Sequence, residues 1–293
     1  RGGPAQTFLL ESVEGGEHIA RYSFLGGGPR AVFTSRGPQC EIAHADGRVE
    51  RSEAADPLAA LRAHMAQYTP VPDPALPRFY GGAVGYVGYD AIARFEPRVR
   101  LAQHAVLDWP DILMGITDTL LIFDHTRHTL KVVSNVHVSG DAAAAYDAAV
   151  RQLDALCAAL AAPLPHQLVD VQARPEPPPA RSNLTRKQFG DAVLKAKEYI
   201  RAGDIIQVVL SQRFEVDFSG DPLDVYRAIR CVNPSPYLYC LEFGGRAVVG
   251  SSPEIHVRDE EGHVEVRPIA GTRPRAADPA EDAALADELL ADP

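Results

Sequence analysis

Three short segments carry polar side chains where the pattern otherwise predicts β-strands. Each is an apolar run that contains or ends in a residue able to hydrogen-bond or move a proton, namely Gln207, Glu254 and Thr272. A polar group buried in a strand needs a hydrogen-bond partner, so such positions favour a binding or catalytic role. The alternative is three strand ends with solvated side chains, and the pattern alone leaves both open. The segments are Gly203–Ser211, Ser251–Glu254 and Pro268–Arg275.

A proline-rich stretch separates these segments from the first part of the chain. Residues 163–182 contain six prolines, and proline is excluded from the interiors of helices and sheets. We therefore predict an N-terminal domain over residues 1–162, a linker over 163–182 and a second domain over 183–293.

In the second domain, helix and strand patterns follow one another without a regular repeat. Thr185 and Gln188 form a capping-box pattern at the start of a helix, and Gly203 is placed to end it. A strand over 205–216 and a helix over 222–231 are predicted next. Because strands and helices do not alternate regularly along the chain, the sequence predicts an α+β fold with mainly antiparallel sheets.

The first domain contains two segments that need interpretation. The glycine-rich segment 79–90 resembles a phosphate-binding loop, but it lacks the Gly-Lys-Ser/Thr ending and no helical pattern follows it. We interpret it as a strand whose glycines allow close backbone approach, and we reject nucleotide binding. The apolar run 112–123 predicts one long strand.

Composition excludes several classes of protein. The net charge of −10 argues against nucleic acid or an anionic membrane surface as a partner. Four cysteines without CxxC spacing are typical of a reduced, cytoplasmic protein rather than a disulfide scaffold or a zinc site. No apolar run reaches the roughly 18 residues of a membrane span.

Four blocks in the same order resemble the chorismate-using enzymes, and most of all the large subunit, component I, of anthranilate synthases. The resemblance extends over essentially the whole chain. It implies a two-domain fold in which antiparallel sheets pack together with helices outside. The blocks are Leu9–Ser12, Gly203–Phe214, Asn233–Leu238 and Pro268–Arg275.

The resemblance implies that chorismate and ammonia are converted to anthranilate and pyruvate, the first step of tryptophan biosynthesis. Glu254 matches the acid that protonates the departing C4 hydroxyl, and Gly271 and Thr272 match contacts to chorismate. Water-using relatives carry a lysine base where this chain has Gln207, and aminodeoxychorismate synthases often carry a nucleophilic lysine where it has Ala270. Both differences favour ammonia as the nucleophile.

A second group of residues matches the family's site for feedback inhibition by tryptophan. These residues are Glu11, Ser12, Pro236, Tyr237 and Leu238. Tyr237 offers an apolar face for an indole ring. We expect the two blocks that carry them to meet across the domain interface, so that tryptophan influences closure of the chorismate site.

The resemblance also implies components that this chain does not supply. No Cys/His glutaminase arrangement is evident, so a separate glutamine amidotransferase subunit, component II, is expected to provide ammonia. The carboxylates that bind Mg²⁺ in the family are expected beyond Pro293, so we expect no metal ligand in this chain and no activity from it alone. The alternatives are an aminodeoxychorismate synthase component I or a noncatalytic module that binds tryptophan or a partner.

Overall fold

The computed structural model describes residues 6–12, 21–100, 107–163, 178–255, 257–266 and 271–292. The helices are α1 (Pro57–Met65), α2 (Ala142–Ala161), α3 (Arg186–Ala202), α4 (Pro222–Val232) and α5 (Pro279–Ala291), with a 3-10 helix at Tyr89–Arg94. The strands are β1 (Gln6–Glu11), β2 (Tyr22–Gly27), β3 (Ala31–Arg36), β4 (Gln39–His44), β5 (Val49–Glu53), β6 (Gly82–Val87), β7 (Ile112–Thr117), β8 (Thr119–Asp124), β9 (Thr129–Ser134), β10 (Arg181–Ser182), β11 (Phe214–Glu215), β12 (Tyr237–Phe243), β13 (Arg246–Ser252), β14 (Arg258–Glu260) and β15 (His263–Glu265).

The chain forms two compact units. The first unit comprises Arg1–Asp170 and Asp221–Pro253, and the second comprises Val171–Gly220 and Glu254–Pro293. Residues 221–253 therefore belong with the N-terminal part of the chain, although they follow the proline-rich stretch in sequence. The linker over 163–182 stays a prediction, since residues 164–177 lie outside the described residues.

The first unit is built from two antiparallel sheets. The larger has the strand order β13-β12-β1-β2-β8-β9, and the smaller has the order β5-β4-β3-β7-β6. One hydrophobic cluster joins them, because Phe8, Ile122 and Leu241 of the larger sheet pack with Val84 and Leu113 of the smaller one. Sheet-on-sheet packing of this kind buries the inner face of each sheet. The predicted α+β fold with packed antiparallel sheets is confirmed.

The prediction of one strand over 112–123 is wrong. The run is two strands, since β7 pairs with β3 and β6 of the smaller sheet while β8 pairs with β2 and β9 of the larger one. Asp118 lies between them, its carboxylate oxygen 3.3 Å from Nε of Arg30, and burial raises its pKa. Both strands are apolar on both faces, so the sequence carries no change of pattern at the point where the chain changes sheet.

The glycine-rich segment 79–90 contains β6, as predicted. It is followed only by the short 3-10 helix, not by an α-helix. At Gly85 a Cβ atom would lie 1.9 Å from the carbonyl oxygen of Leu113 on the neighbouring strand, so only glycine fits there.

The second unit confirms the predicted helix ends but not the predicted long strand. Thr185 and Gln188 form the capping box of α3, and Gly203 ends the helix with φ +79°. Within 205–216 only Phe214–Glu215 is a strand, paired with β10. Among the described residues, no helix combines the length and apolar character needed to cross a bilayer.

Candidate functional site

The blocks proposed to bind tryptophan are neighbours in one sheet. β1 and β12 pair antiparallel, with Glu11 opposite Leu238 and Leu10 opposite Tyr239. The expectation that the blocks meet is confirmed, but they meet inside the larger sheet of the first unit and not across a domain interface. The physical reason is that β12 returns to the N-terminal sheet and takes its place beside β1.

The two faces of this strand pair have different neighbours. Leu9 and Leu238 pack against Tyr226 of α4. Leu10 and Tyr239, one position further along each strand, pack into the cluster between the two sheets. Because side chains alternate along a strand, each residue of the proposed site can be assigned to the helix side or to the inter-sheet side.

Glu11 is held from the helix side. Its Oε2 atom accepts hydrogen bonds from the Tyr226 hydroxyl and from Nε of Arg230, the latter at 3.0 Å. Tyr226 is only 1% exposed, and burial together with the hydrogen bond to Glu11 raises the pKa of its phenol. The phenol therefore stays protonated and donates to the carboxylate.

Ser12 and the start of β12 lie beside Glu11, at the end of the β1–β12 pair, and we call this place the corner of the sheet. The Ser12 hydroxyl is buried and has no hydrogen-bond partner among the described residues. Ser235 accepts a hydrogen bond at 3.3 Å from the backbone N–H of Tyr237, and the hydroxyl of Ser251 donates to the carbonyl of Asn233 at 2.7 Å. These contacts fix the loop that carries Pro236 into β12.

An apolar cleft opens between the two sheets of the first unit, close to this corner. It has a volume of about 890 Å³, and Leu10 and Tyr239 are part of its lining. A cleft rich in aromatic side chains suits a flat apolar ligand group. Its aromatic lining residues are Phe24, Phe79, Tyr86, Trp109 and Tyr239.

The predicted catalytic residues belong to the second unit and are exposed. Glu254 follows β13 directly, Gln207 lies in the non-strand segment after α3, and Gly271 and Thr272 precede α5. A buried environment that would keep Glu254 protonated is therefore not observed in the described residues, and its role stays a prediction. Ala270 lies outside the described residues.

Two arginines beside the predicted chorismate contacts are paired within the second unit. Arg273 contacts Glu288 at 3.0 Å and Asp292 at 2.6 Å, and Arg275 contacts Asp282 at 2.7 Å. The hydrogen bond from Arg275 lowers the pKa of Asp282. The positive charges next to Thr272 are thus matched by carboxylates of α5 and its C-terminal end.

The described residues do not provide a metal site. No group of three or more His, Cys, Asp or Glu side chains among them could hold a metal ion. No ligand for the Mg²⁺ that the resemblance implies can therefore be named among the described residues.

Sequence reasoning did not identify Tyr226 and Arg230. They lie four residues apart on α4, so they share one helix face, and that face meets the end of β1. The available signal was a tyrosine and an arginine at helical spacing just before the block Asn233–Leu238. Such a pair is common on helix surfaces, and its partner Glu11 is more than two hundred residues away in sequence.

Comparisons with known proteins agree with this architecture. The sequence model of the family described as chorismate binding enzyme matches residues 6–293. The anthranilate synthase component 1 proteins of Acinetobacter calcoaceticus and Pseudomonas putida are 44% and 42% identical over 98% of this chain. The crystal structure of anthranilate synthase component I from Streptococcus pneumoniae TIGR4 matches with a TM-score of 0.74 and 30% identity over 96% of this chain.

The chain belongs to the family of chorismate-binding enzymes. It spans 59% and 58% of the length of the two relatives and 59% of the solved chain.

Proposed function

We propose that this protein is the chorismate-binding subunit of an ammonia-using anthranilate synthase. The observation that carries the proposal is identity of 42–44% to proteins of that name across nearly the whole chain. The polar segments around Gln207, Glu254 and Thr272 all lie within the matched region.

The proposed chemistry assigns a role to each of these segments. Hydroxide is a poor leaving group, so Glu254 protonates the C4 hydroxyl of chorismate as ammonia adds at C2 and pyruvate is eliminated afterwards. The backbone N–H of Gly271 and the hydroxyl of Thr272 donate to a substrate carboxylate. Gln207 has no basic group to deprotonate water, so ammonia is the nucleophile that remains.

The proposal also includes a partner subunit and a metal ion. A separate glutamine amidotransferase, component II, supplies ammonia, and Mg²⁺ is the metal cofactor. The protein works in the cytoplasm, which is supported by four cysteines that are free, two of them buried at positions 40 and 240.

The activity is tested on the protein expressed from its complete gene, incubated with chorismate, Mg²⁺ and an ammonium salt. We expect anthranilate fluorescence and one pyruvate released per anthranilate. Aminodeoxychorismate without pyruvate, or isochorismate formed without ammonium, would instead indicate a relative with a different nucleophile or product. Tryptophan binding without any turnover would indicate a noncatalytic module.

We further propose that tryptophan inhibits this activity by binding where the two blocks that carry Glu11, Ser12, Pro236, Tyr237 and Leu238 meet. The proposal is supported by the pairing of β1 with β12, by the neighbouring aromatic cleft and by the buried hydroxyl of Ser12, which has no hydrogen-bond partner in the part of the chain that the structure describes.

Tryptophan protection against heat tests the proposed inhibitor site. We expect tryptophan to raise the melting temperature of the wild type and of the exposed control Ser219→Phe, but not of Ser12→Phe. Equal protection of all three proteins would exclude Ser12 from the binding site.

A further inference from the structure

The carboxylate of Glu11 has two donors on the helix side of the larger sheet. Tyr226 and Arg230 both donate to the same oxygen, and the Glu11 side chain is only 17% exposed. A charge-assisted hydrogen bond of this kind is stronger than a neutral one. Turning the carboxylate away would leave the buried phenol of Tyr226 without a partner, which is costly.

This carboxylate lies on the side of the strand opposite to the inter-sheet cleft. Leu9 shares the helix side with it, while Leu10 lines the cleft. Strand alternation therefore directs Tyr237, like Tyr239, towards the cleft side of the sheet. Ser12 follows Glu11 directly, just beyond the end of β1, and its hydroxyl is buried.

The helix that holds Glu11 is continuous in sequence with the other half of the proposed site. α4 ends at Val232, and the loop of Asn233 to Pro236 leads straight into β12. The hydroxyl of Ser251 on β13 holds that loop through the carbonyl of Asn233 at 2.7 Å. α4 is thus connected to β12 through the loop, β12 pairs with β1, and the hydrogen bonds of Glu11 connect β1 back to α4.

We infer that Tyr226 and Arg230 are positioning residues for the proposed tryptophan site. They hold the Glu11 side chain as a link between β1 and α4, which we call the strut. Glu11 is then not a ligand for the ammonium group of the inhibitor. The inference rests on the proposed inhibition by tryptophan. In this arrangement the strut fixes the end of β1, and Ser12 and Tyr237 are presented to the inhibitor as a consequence.

A double-mutant cycle tests the strut in the protein expressed from its complete gene. The variants are Tyr226→Phe, Glu11→Gln and the double variant. For each, calorimetry gives the dissociation constant of tryptophan, and an activity assay gives kcat and KM for chorismate. We expect each single change to weaken tryptophan binding about tenfold. We expect the double variant to bind tryptophan no more weakly than the single variant with the lower affinity, because both changes remove the interaction between Glu11 and Tyr226. We expect kcat and KM of Tyr226→Phe to stay unchanged.

Arg230 provides a second variant that keeps the test independent of the buried tyrosine. Arg230→Gln is expected to weaken tryptophan binding, and Arg230→Lys to restore part of it, because lysine keeps the charge but not the geometry of the guanidinium. The matched control is Arg227→Gln on the same helix, whose side chain pairs with Asp224 at 3.6 Å and not with Glu11. We expect this control to bind tryptophan like the wild type.

A ligand without an ammonium group separates the strut from direct contact. We expect Glu11→Gln to weaken L-tryptophan and indole-3-propionate by the same factor. A loss confined to L-tryptophan, or additive effects in the cycle, would overturn the inference while leaving the proposed inhibition intact. Wild-type protein that makes anthranilate but binds no tryptophan would overturn the proposed inhibition and the strut together.

Discussion

β12 and the segment 205–213 are both short apolar runs, but only β12 has neighbours on both sides. β12 pairs with β1 and β13, and its Leu238 and Leu241 are 1% and 5% exposed. In the second unit Ile206 and Val209 are 93% and 83% exposed, and the segment has no strand partner among the described residues. Apolar residues create the tendency to form a strand, whereas hydrogen-bonded neighbours and a packed face complete it.

The proposed tryptophan site and the predicted catalytic residues lie in regions that differ in the same way. The residues of the proposed tryptophan site lie in an enclosed sheet, so changing them affects packing as well as binding. The predicted catalytic residues lie on exposed segments of the second unit, so changing them is expected to affect activity with little effect on stability.

The largest effect is expected from Glu254→Gln. The amide cannot donate the proton that the C4 hydroxyl needs, so we expect anthranilate formation to fall by about 10²–10⁴-fold. The melting temperature should stay unchanged because the side chain is exposed. Anthranilate fluorescence and a thermal melt on the same sample provide both measurements, and wild-type activity in the variant would remove Glu254 from the mechanism.

The next prediction compares two isomeric side chains in the two regions. Leu241→Ala empties part of the cluster between the sheets, and we expect it to reduce the free energy of unfolding by about 3 kcal/mol. Ile206→Ala removes a side chain that is 93% exposed, and a change within about 0.5 kcal/mol is expected. Urea denaturation followed by circular dichroism measures both. Equal losses would mean that Ile206 is enclosed in the folded protein.

The same contrast explains what could be predicted from the sequence. Helix ends such as Thr185 and Gly203 depend on residues within one turn, so the sequence predicted them. The strand over 205–216 and the change of sheet at Asp118 depend on which distant strand lies alongside, and local pattern holds no record of that.

The candidate site shows the same division. The resemblance brought Glu11 and Tyr237 together as members of one proposed site, and the structure places their strands side by side. The resemblance did not identify Tyr226 and Arg230, because only their hydrogen bonds to Glu11 connect them with the proposed site. The enclosure that Glu254 needs as an acid is likewise a property of its surroundings and not of its segment.

A buried ion pair in the first unit and an exposed ion pair in the second are expected to differ in their contribution to stability. Asp124, which is 2% exposed, contacts Arg21 at 3.0 Å, and the hydrogen bond from Arg21 lowers the pKa of Asp124. Asp292 contacts Arg273 at 2.6 Å but is half exposed. Exposed ion pairs contribute little to stability, so we expect Asp124→Asn to lower the melting temperature by several degrees and Asp292→Asn to leave it nearly unchanged.

The pH dependence of the Asp124 effect has a defined sign. Its folded pKa lies below the usual value of 3.8, so its contribution is complete above pH 3.8 and is lost as the pH falls through the lowered value. The difference between wild type and Asp124→Asn should therefore be constant from pH 7 to pH 5 and shrink in strong acid. Thermal melts from pH 7 into strong acid measure this difference, and a difference that grows in acid would contradict the assignment.

The smallest effect concerns a histidine on α1. His64 is 7% exposed, and its Nε2 atom has no hydrogen-bond partner among the described residues. Burial lowers the pKa of His64 below 6.5, because the charged imidazolium would lose its hydration. The titratable groups that act on it are Glu50, which raises its pKa, and His44, Arg30 and Arg48, which lower it.

Because the folded form takes up the proton less readily than the unfolded form, stability is greatest above pH 6.5 and falls as the pH drops below it. The slope from this one histidine is at most about 1.4 kcal/mol per pH unit. We expect His64→Gln to flatten the dependence of unfolding free energy on pH between 7 and 5.5, and His263→Gln, at an exposed position of the second unit, to leave it unchanged. Urea titrations at several pH values decide this, since equal slopes in both variants would show that the enclosed imidazole carries no penalty for its charge.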